Sequence, residues 1–397
     1  MEIIIKIFRK SLLILCFFVG FVSFSNEKLS PSAEISILTC GPHEELYSAF
    51  GHSAIRIKDL EHEFDWVYNY GTFDFSAPNF YLNFTKGNQN YYLSRDEFND
   101  FAYFYYSQQR WVQQQVLNLN DAQKQKLYDF LEVNILPENR NYSYEFFDNN
   151  CATKIVDVFT DLFEEEVVFY EKDEQECKTI RSLIKEYTKK NVWGQFGIDL
   201  VLGSKIDRIA YPREYVFLPD YLLEFFENSA IQKDGFSQSL VSKTYFLLKP
   251  LSKNVENNFF TPKHTIYFIS FFIFLITLLD IYRKKRTKLL DVGLLFVTGL
   301  LGMLMILLWF FTNHTTTVNN FNILWAFPLN VIAAIVFLNH KSIRWQAPYF
   351  LFLLLLLIAF FFVWLFQLQE FNDANTFLLI ALFARLLFTI FAIRKLR

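Results

Sequence analysis

Two patterns of apolar spacing divide this chain. After Pro262 the apolar residues run together in five stretches, near 265–282, 289–311, 321–338, 347–366 and 376–393. Each is about 18 to 23 residues long, and a helix of that length crosses roughly 30 Å of hydrocarbon. Between residue 26 and about residue 255, apolar positions instead alternate or recur at helical spacing, as in a domain with a water-facing surface. "HSAIRIKD" alternates and predicts a strand, with Ile55 and Ile57 on one face and His52, Ala54 and Arg56 on the other. "EFDWVYNYG" predicts a second strand, and the polar run Lys58 to Glu63 between them a hairpin loop. "NLNDAQKQKLYDFLEVNI" predicts an amphipathic helix capped by Asn120 and ending before Pro137. "NNCATKIVDVFTDLF" predicts another, with Ile155, Val158, Phe159 and Leu162 at helical spacing and Asn149 or Asn150 as its N-cap.

Charge sets the direction of the spans. "YRKKRTK" (Tyr282 to Lys288) is strongly basic, "TNHTTTVNNF" (312–321) has no Lys or Arg, and Lys341 and Arg344 mark the next loop. "QLQEFNDAN" (367–375) has neither Lys nor Arg, and the chain ends "RKLR". Basic loops stay in the cytoplasm, so five spans leave residues 26–260 outside. The N-terminus agrees. Lys6, Arg9 and Lys10 precede the apolar run Ser11 to Val22, and Ser23-Phe24-Ser25 suits cleavage after Ser25, with an uncleaved anchor as the alternative. The expected organisation is a signal peptide over 1–25, an extracytoplasmic domain over 26–260 and a transmembrane domain of five helices over 261–397. A net charge of −3 gives no reason to expect a nucleic-acid partner.

Cys16 lies within the leader, so cleavage leaves Cys40, Cys151 and Cys177 in an oxidising space. At least one of the three is unpaired or pairs with another chain; a Cys40–Cys177 disulfide with Cys151 free is one arrangement. Arg385 sits near the middle of the fifth apolar stretch, where an arginine needs a partner. It either contacts a lipid phosphate or packs against a bundle acceptor such as Asn330.

Cys151 is the candidate for chemistry. A thiol in the first turn of a helix lies at the positive end of the dipole, near free N–H groups, and both favour the thiolate. The same N–H groups suit an oxyanion. The candidate bases are His43, His52, His62 and, next to the membrane, His264. His43 follows Gly41-Pro42 in a turn and His62 falls in the hairpin loop, both surface settings, whereas His52 enters a strand. If the hairpin loop is centred near 60–61, Asn69 falls opposite His52 and its amide can hold the imidazole in one tautomer. A slip of one residue would turn Asn69 to the other face, leaving Asp65 as the fallback. There is no HExxH, no CxxC and no clustered His/Asp spacing, so no metal and no cofactor is expected.

Four segments in order, "CGPHEELYSAFGHSAIRI", "YNYGTFDF", "NFTKGNQNYYL" and "NYSYEFFDNNCATKIVD", resemble the Lnb family of bacterial lipoprotein N-acyltransferases over about residues 35–160. The likeness weakens over 160–255, and the five-span tail is similar in architecture rather than motif. The order of the motifs is also similar to circularly permuted papain-like folds, the group of LRAT-like acyltransferases and NlpC-like peptidases. Gly51-His52 matches the His box and Asn150-Cys151 the Cys box, with Lys154 standing where an arginine is expected. The resemblance implies an α+β papain-like thiol-enzyme domain ahead of the helical bundle, at the periplasmic face of the inner (cytoplasmic) membrane. It implies that Cys151, activated by His52 with Asn69, takes an acyl chain from a phospholipid as a thioester. The acceptor would be the α-amine of a lipoprotein's lipidated N-terminal cysteine. Asn150, Arg56 and Arg385 stand as candidate substrate-binding residues. Two other classes remain open: a cell-wall peptidase or amidase using the same Cys–His pair, and a non-catalytic membrane-tethered binding module.

Overall fold

The computed structural model describes residues 28–88, 90–169, 177–233, 235–250, 260–339 and 344–395; the leader with Cys16, and Lys341, lie outside these. The described strands are β1 (Glu34–Cys40), β2 (His52–Asp59), β3 (Phe64–Thr72), β4 (Asn90–Glu97), β5 (Val112–Leu117), β6 (Asn141–Ser143), β7 (Val167–Val168), β8 (Ala230–Lys233), β9 (Phe236–Ser239) and β10 (Val241–Leu248). Seven form one antiparallel sheet in the order β10-β5-β1-β2-β3-β4-β6, and β7, β8 and β9 form a small second sheet. The helices of this half are α1 (Phe80–Lys86), α2 (Phe98–Ser107), α3 (Asp121–Asn134), α4 (Cys151–Phe163), α5 (Ile180–Thr188), α6 (Val192–Val201) and α7 (Pro219–Glu227).

The period-2 pattern gives the large sheet two buried faces. Ile35, Ile37, Ile55, Ile57, Tyr68 and Tyr70 pack against α3, α4 and α7. Leu38, Cys40, Ala54 and Val67 pack against Phe101 and Tyr105 of α2. Asn120 caps α3 as expected, through a reciprocal exchange with Gln123. The β2–β3 loop is residues 60–63, with Asp59 opposite Phe64 and Ile55 opposite Tyr68. The register is therefore displaced by two residues from the expected one. An even displacement preserves the face of every side chain, so Asn69 still lies on the His52 face.

In the C-terminal half the helices are α8 (Pro262–Arg283), α9 (Lys288–Phe310), α10 (Asn330–Asn339), α11 (Gln346–Leu365) and α12 (Asn375–Lys395). Among the described residues four of these, α8, α9, α11 and α12, are long and apolar enough to cross a membrane. The apolar stretch 321–338 differs from the expected continuous span. It forms a 3-10 turn over Phe321–Leu324 and resumes as the ten-residue α10. Pro328 lacks the N–H a continuing helix needs and disfavours helical geometry in the residue before it. α9 accepts this broken segment at close range, since a Cβ on Gly302 would lie 2.0 Å from the carbonyl oxygen of Ala326.

Arg385 is 2% exposed and contacts no acceptor on Asn330, which bonds Thr298 and Tyr349 instead. Its guanidinium donates to Asp291 (2.6 Å), Asp280 (2.7 Å) and the Thr287 carbonyl (3.0 Å). The lipid-phosphate role is thus not where the fold puts this side chain. Asp280 and Asp291 sit at the ends of adjacent apolar stretches, and packing carries that turn alongside the middle of α12. A buried guanidinium needs such partners.

The two halves meet at the loops without Lys or Arg. Gly203 N–H donates to the Thr316 carbonyl (2.9 Å), Ser204 N–H to Asn319 (3.2 Å) and Asn320 Nδ2 to the Leu200 carbonyl (2.8 Å). Asn372 binds Asp199 (2.8 Å), whose other oxygen pairs with the fully buried Arg181. Loops 312–320 and 367–373 therefore lie on the side of the bundle that carries the N-terminal domain.

Candidate active site

The first turn of α4 is locked by its cap. Asn150 Oδ1 accepts from the N–H groups of Ala152 (2.8 Å) and Thr153 (3.0 Å), and Thr153 Oγ1 returns a bond to Asn150 N–H (2.8 Å). Asn150 Nδ2 donates to the carbonyls of Phe146 (2.9 Å) and Phe217 (2.7 Å). With its amide fully engaged and only 3% exposed, Asn150 orients Cys151 rather than offering itself to a ligand. Asn150→Ala removes the cap and leaves two buried carbonyls unmatched, so it should cost about 1–2 kcal/mol or more. A denaturant titration of the purified protein measures the loss.

Cys151 enters a fork in the sheet. The β2–β3 ladder stops at Ile55–Tyr68, and β3 bends away at a register shift between Asn69 and Thr72. Gly71 makes the bend possible with φ +87°, a conformation costly for other residues. A Cβ there would lie 3.5 Å from Cβ of Cys151 and 3.6 Å from the Tyr144 ring. The start of β2 is thus left without its β3 partner, and the backbone N–H groups of Ser53 and of the first turn of α4 favour the charged form of the Cys151 sulfur.

His52, the residue before Ser53, lies across the same fork from Asn69. Its Nε2 is 3.1 Å from Asn69 Oδ1, while Asn69 Nδ2 donates to Asp96 Oδ2 at 2.8 Å. The Asp96 carboxylate accepts only, which fixes the amide orientation. Asn69 Oδ1 is therefore the acceptor, His52 Nε2 carries the proton, and Nδ1 is the basic nitrogen. Burial pushes the His52 imidazole down to about 4, partly offset by the Asn69 bond and reinforced by the positive charge of Arg110. Burial also raises the Cys151 thiol, and the converging N–H groups only moderate that rise. The expected thiolate is thus reversed in sign: the resting pair is a neutral thiol and a neutral imidazole. Desolvation of the charged form outweighs the helix-start field here.

The other sequence candidates are engaged elsewhere. Arg56 is held by Asp65 (2.7 and 2.6 Å) and Gln114 (2.6 Å), with its guanidinium carbon 3.4 Å from the centre of the Phe98 ring. Arg56 and Asp65 thus pair with each other, and Gln114 takes a further Arg56 N–H. His62 Nδ1 binds Asp59 (2.9 Å). Cys40, Cys151 and Cys177 are all free; Cys40 is buried inside the sheet, where burial pushes its thiol up to about 12, and Cys177 is exposed. The Cys40–Cys177 bridge is not formed. Ser53 and Asp96 are the contributors that sequence reasoning missed. Asp96 reaches the site because β3 and β4 pair across the long 73–89 connection, and pairing at that separation leaves no local signal.

A cysteine thus begins a helix in contact with the strand that carries an amide-oriented histidine. Residues 21–186 match the Lnb N-terminal periplasmic domain and residues 254–396 the Lnb transmembrane domain. The chain belongs to the Lnb family. No curated protein and no solved structure matches it. This Lnb-family chain is accordingly a multi-pass membrane protein with a periplasmic N-terminal domain. Its family points to a membrane enzyme that modifies lipoproteins. Phe147 and Asp148, just ahead of Cys151 in the chain, share a cleft with Thr315 and Thr316 of the bundle.

Proposed function

We propose that this chain is a lipoprotein N-acyltransferase whose nucleophile is Cys151 and whose base is His52. The observation that carries the reading is the His52–Asn69–Asp96 chain, which leaves Nδ1 basic on a strand in contact with the helix that Cys151 begins. In the first step Cys151 Sγ attacks an ester carbonyl of a phospholipid and His52 Nδ1 takes the thiol proton. The N–H groups of Ser53 and Cys151 hold the tetrahedral oxyanion. Its collapse expels the lysophospholipid hydroxyl, which leaves with the proton from His52, and a thioester remains. In the second step the α-amine of a lipoprotein's lipidated N-terminal cysteine attacks the thioester. His52 takes the amine proton and returns it to the departing Cys151 sulfur as the amide forms. No metal or cofactor takes part in either step.

This reading takes residues 1–25 as a signal peptide, 26–260 as a permuted papain-like catalytic domain and 261–397 as the membrane domain, in the inner membrane. It takes the bundle to cross five times, with 321–339 as a broken third crossing. The ends of that segment support this: its start follows the loop bonded to Gly203, and near its end the Leu338 carbonyl lies 3.5 Å from Lys288 Nζ, at the opposite end of α9.

Expression in cells whose lipoproteins keep a free N-terminal amine tests the reaction. Mass spectrometry of a lipoprotein's N-terminal peptide should show one added acyl chain, and Cys151→Ser should abolish it. Unchanged N-termini with correctly inserted protein would refute the reading, and release of wall peptides by the same cells would replace it with a hydrolase.

A further inference from the structure

The 73–89 connection carries an apolar surface that the domain does not cover. No residue of α1 is buried, and Tyr81, Leu82 and Phe84 are 73%, 52% and 49% exposed. A seven-residue helix has little intrinsic stability in water. Its far end is fastened to the membrane half. Asn313 N–H donates to the Lys86 carbonyl (2.8 Å), Asn313 Nδ2 to Asn88 (2.6 Å), and His314 Nε2 lies 3.2 Å from the Phe84 carbonyl. Asn313 and His314 follow directly on the end of α9 at Phe310. A helix of 23 residues is about 35 Å long, slightly more than the hydrocarbon thickness, so its end reaches the interfacial layer. Phe310 and Phe311 are exposed there, as in an aromatic belt. α1 is thus held at the depth of the lipid headgroups with its apolar side chains free.

A line of aromatic rings runs from α1 towards the thiol. Phe80 lies 5.8 Å from Phe73, Phe73 lies 5.0 Å from Tyr91, and Tyr91 stacks on Tyr144 at 4.3 Å. Tyr144 and Cys151 are the neighbours of Gly71. We propose that α1 inserts Tyr81, Leu82 and Phe84 into the outer leaflet. We further propose that the rings from Phe80 to Tyr144 form the path by which an acyl chain leaves the bilayer for Cys151. The membrane contact stands on this geometry alone; the acyl path rests on the acyltransferase reading.

Two measurements on the full chain in nanodiscs of phosphatidylethanolamine and phosphatidylglycerol separate these. In a Cys151→Ser, Cys177→Ser background, an environment-sensitive fluorophore is attached at Leu82→Cys or, as a control, at Asp121→Cys. Phospholipid spin-labelled near the headgroup should quench the first strongly and the second little; equal, water-like emission at both would overturn the membrane contact. Separately, Tyr81→Ser/Leu82→Ser/Phe84→Ser in the parent chain should reduce acyl-thioester formation from nanodisc phospholipid about tenfold or more relative to formation from a water-soluble short-chain acyl ester. An unchanged ratio would overturn the acyl path. If the parent chain forms no thioester from either donor, the acyltransferase reading and the path fall together, while the quenching result still decides the contact.

Discussion

Replacing His52 by alanine should slow acyl-thioester formation at Cys151 by about 10²–10⁴-fold, the usual contribution of a positioned general base. The effect is large because the thiol is neutral at rest. Burial raises the Cys151 pKa despite the N–H groups around the sulfur, so little thiolate exists without a base to take the proton. Single-turnover trapping of the acyl-enzyme measures the loss directly. The His52 imidazole, pushed down to about 4, is already unprotonated through the neutral range. The acid limb of the thioester-forming rate should therefore fall near pH 4 rather than near the ordinary histidine value, the rate rising as pH climbs through it. Stability follows the same group with a definite sign. The fold holds the neutral ring, so its contribution is complete above about 6.5, the unfolded value, and is lost as pH falls from there towards 4. Asn69→Ala should give a smaller rate loss, because the ring remains but either nitrogen can then carry the proton. A His52→Ala variant that forms the thioester at the parent rate would remove His52 from the mechanism.

Arg385→Ala should destabilise the bundle by about 3–5 kcal/mol, the range for removing one partner of a buried ion pair. Asp280 and Asp291 would be left in a low-dielectric interior without the guanidinium, with Arg286, Thr287 and Thr389 as their remaining partners. Arg385→Lys should recover part of the loss, since an ammonium cannot reproduce the guanidinium fork. Arg385→Met combined with Asp280→Asn and Asp291→Asn should recover most of it by removing the charges together. Thermal unfolding of the detergent-solubilised protein, followed by aggregation or by thiol accessibility, orders the variants. A side chain serving a lipid phosphate would behave differently: Arg385→Ala would insert and melt like the parent and lose only turnover.

Local rules account for the features read correctly from the chain. The β2 alternation assigned Ile55 and Ile57 to one face and Ala54 to the other, because successive Cβ atoms point oppositely along any strand. Asn120 was legible as a cap, and Asn150 as one of two adjacent candidates, because a cap answers the unmet N–H groups of its own helix within three residues. The apolar lengths of α8, α9, α11 and α12 were legible because hydrocarbon thickness is fixed. The His52–Asn69 pairing depended only on side-chain parity, which a two-residue displacement of the hairpin leaves unchanged.

What the tertiary structure alone decided involves partners far apart in the chain. Asp96 joins Asn69 through strand pairing across a 73–89 excursion, and Asp280 and Asp291 meet Arg385 through packing of three helices. Arg56 is bonded by Gln114 from a strand that is not its hairpin mate, and Cys40 is buried while Cys177 is exposed, both free. The protonation of Cys151 belongs here as well. A helix start alone favours the thiolate, but the desolvation that reverses it is the sum of everything packed around the sulfur, and no local stretch of sequence carries that sum.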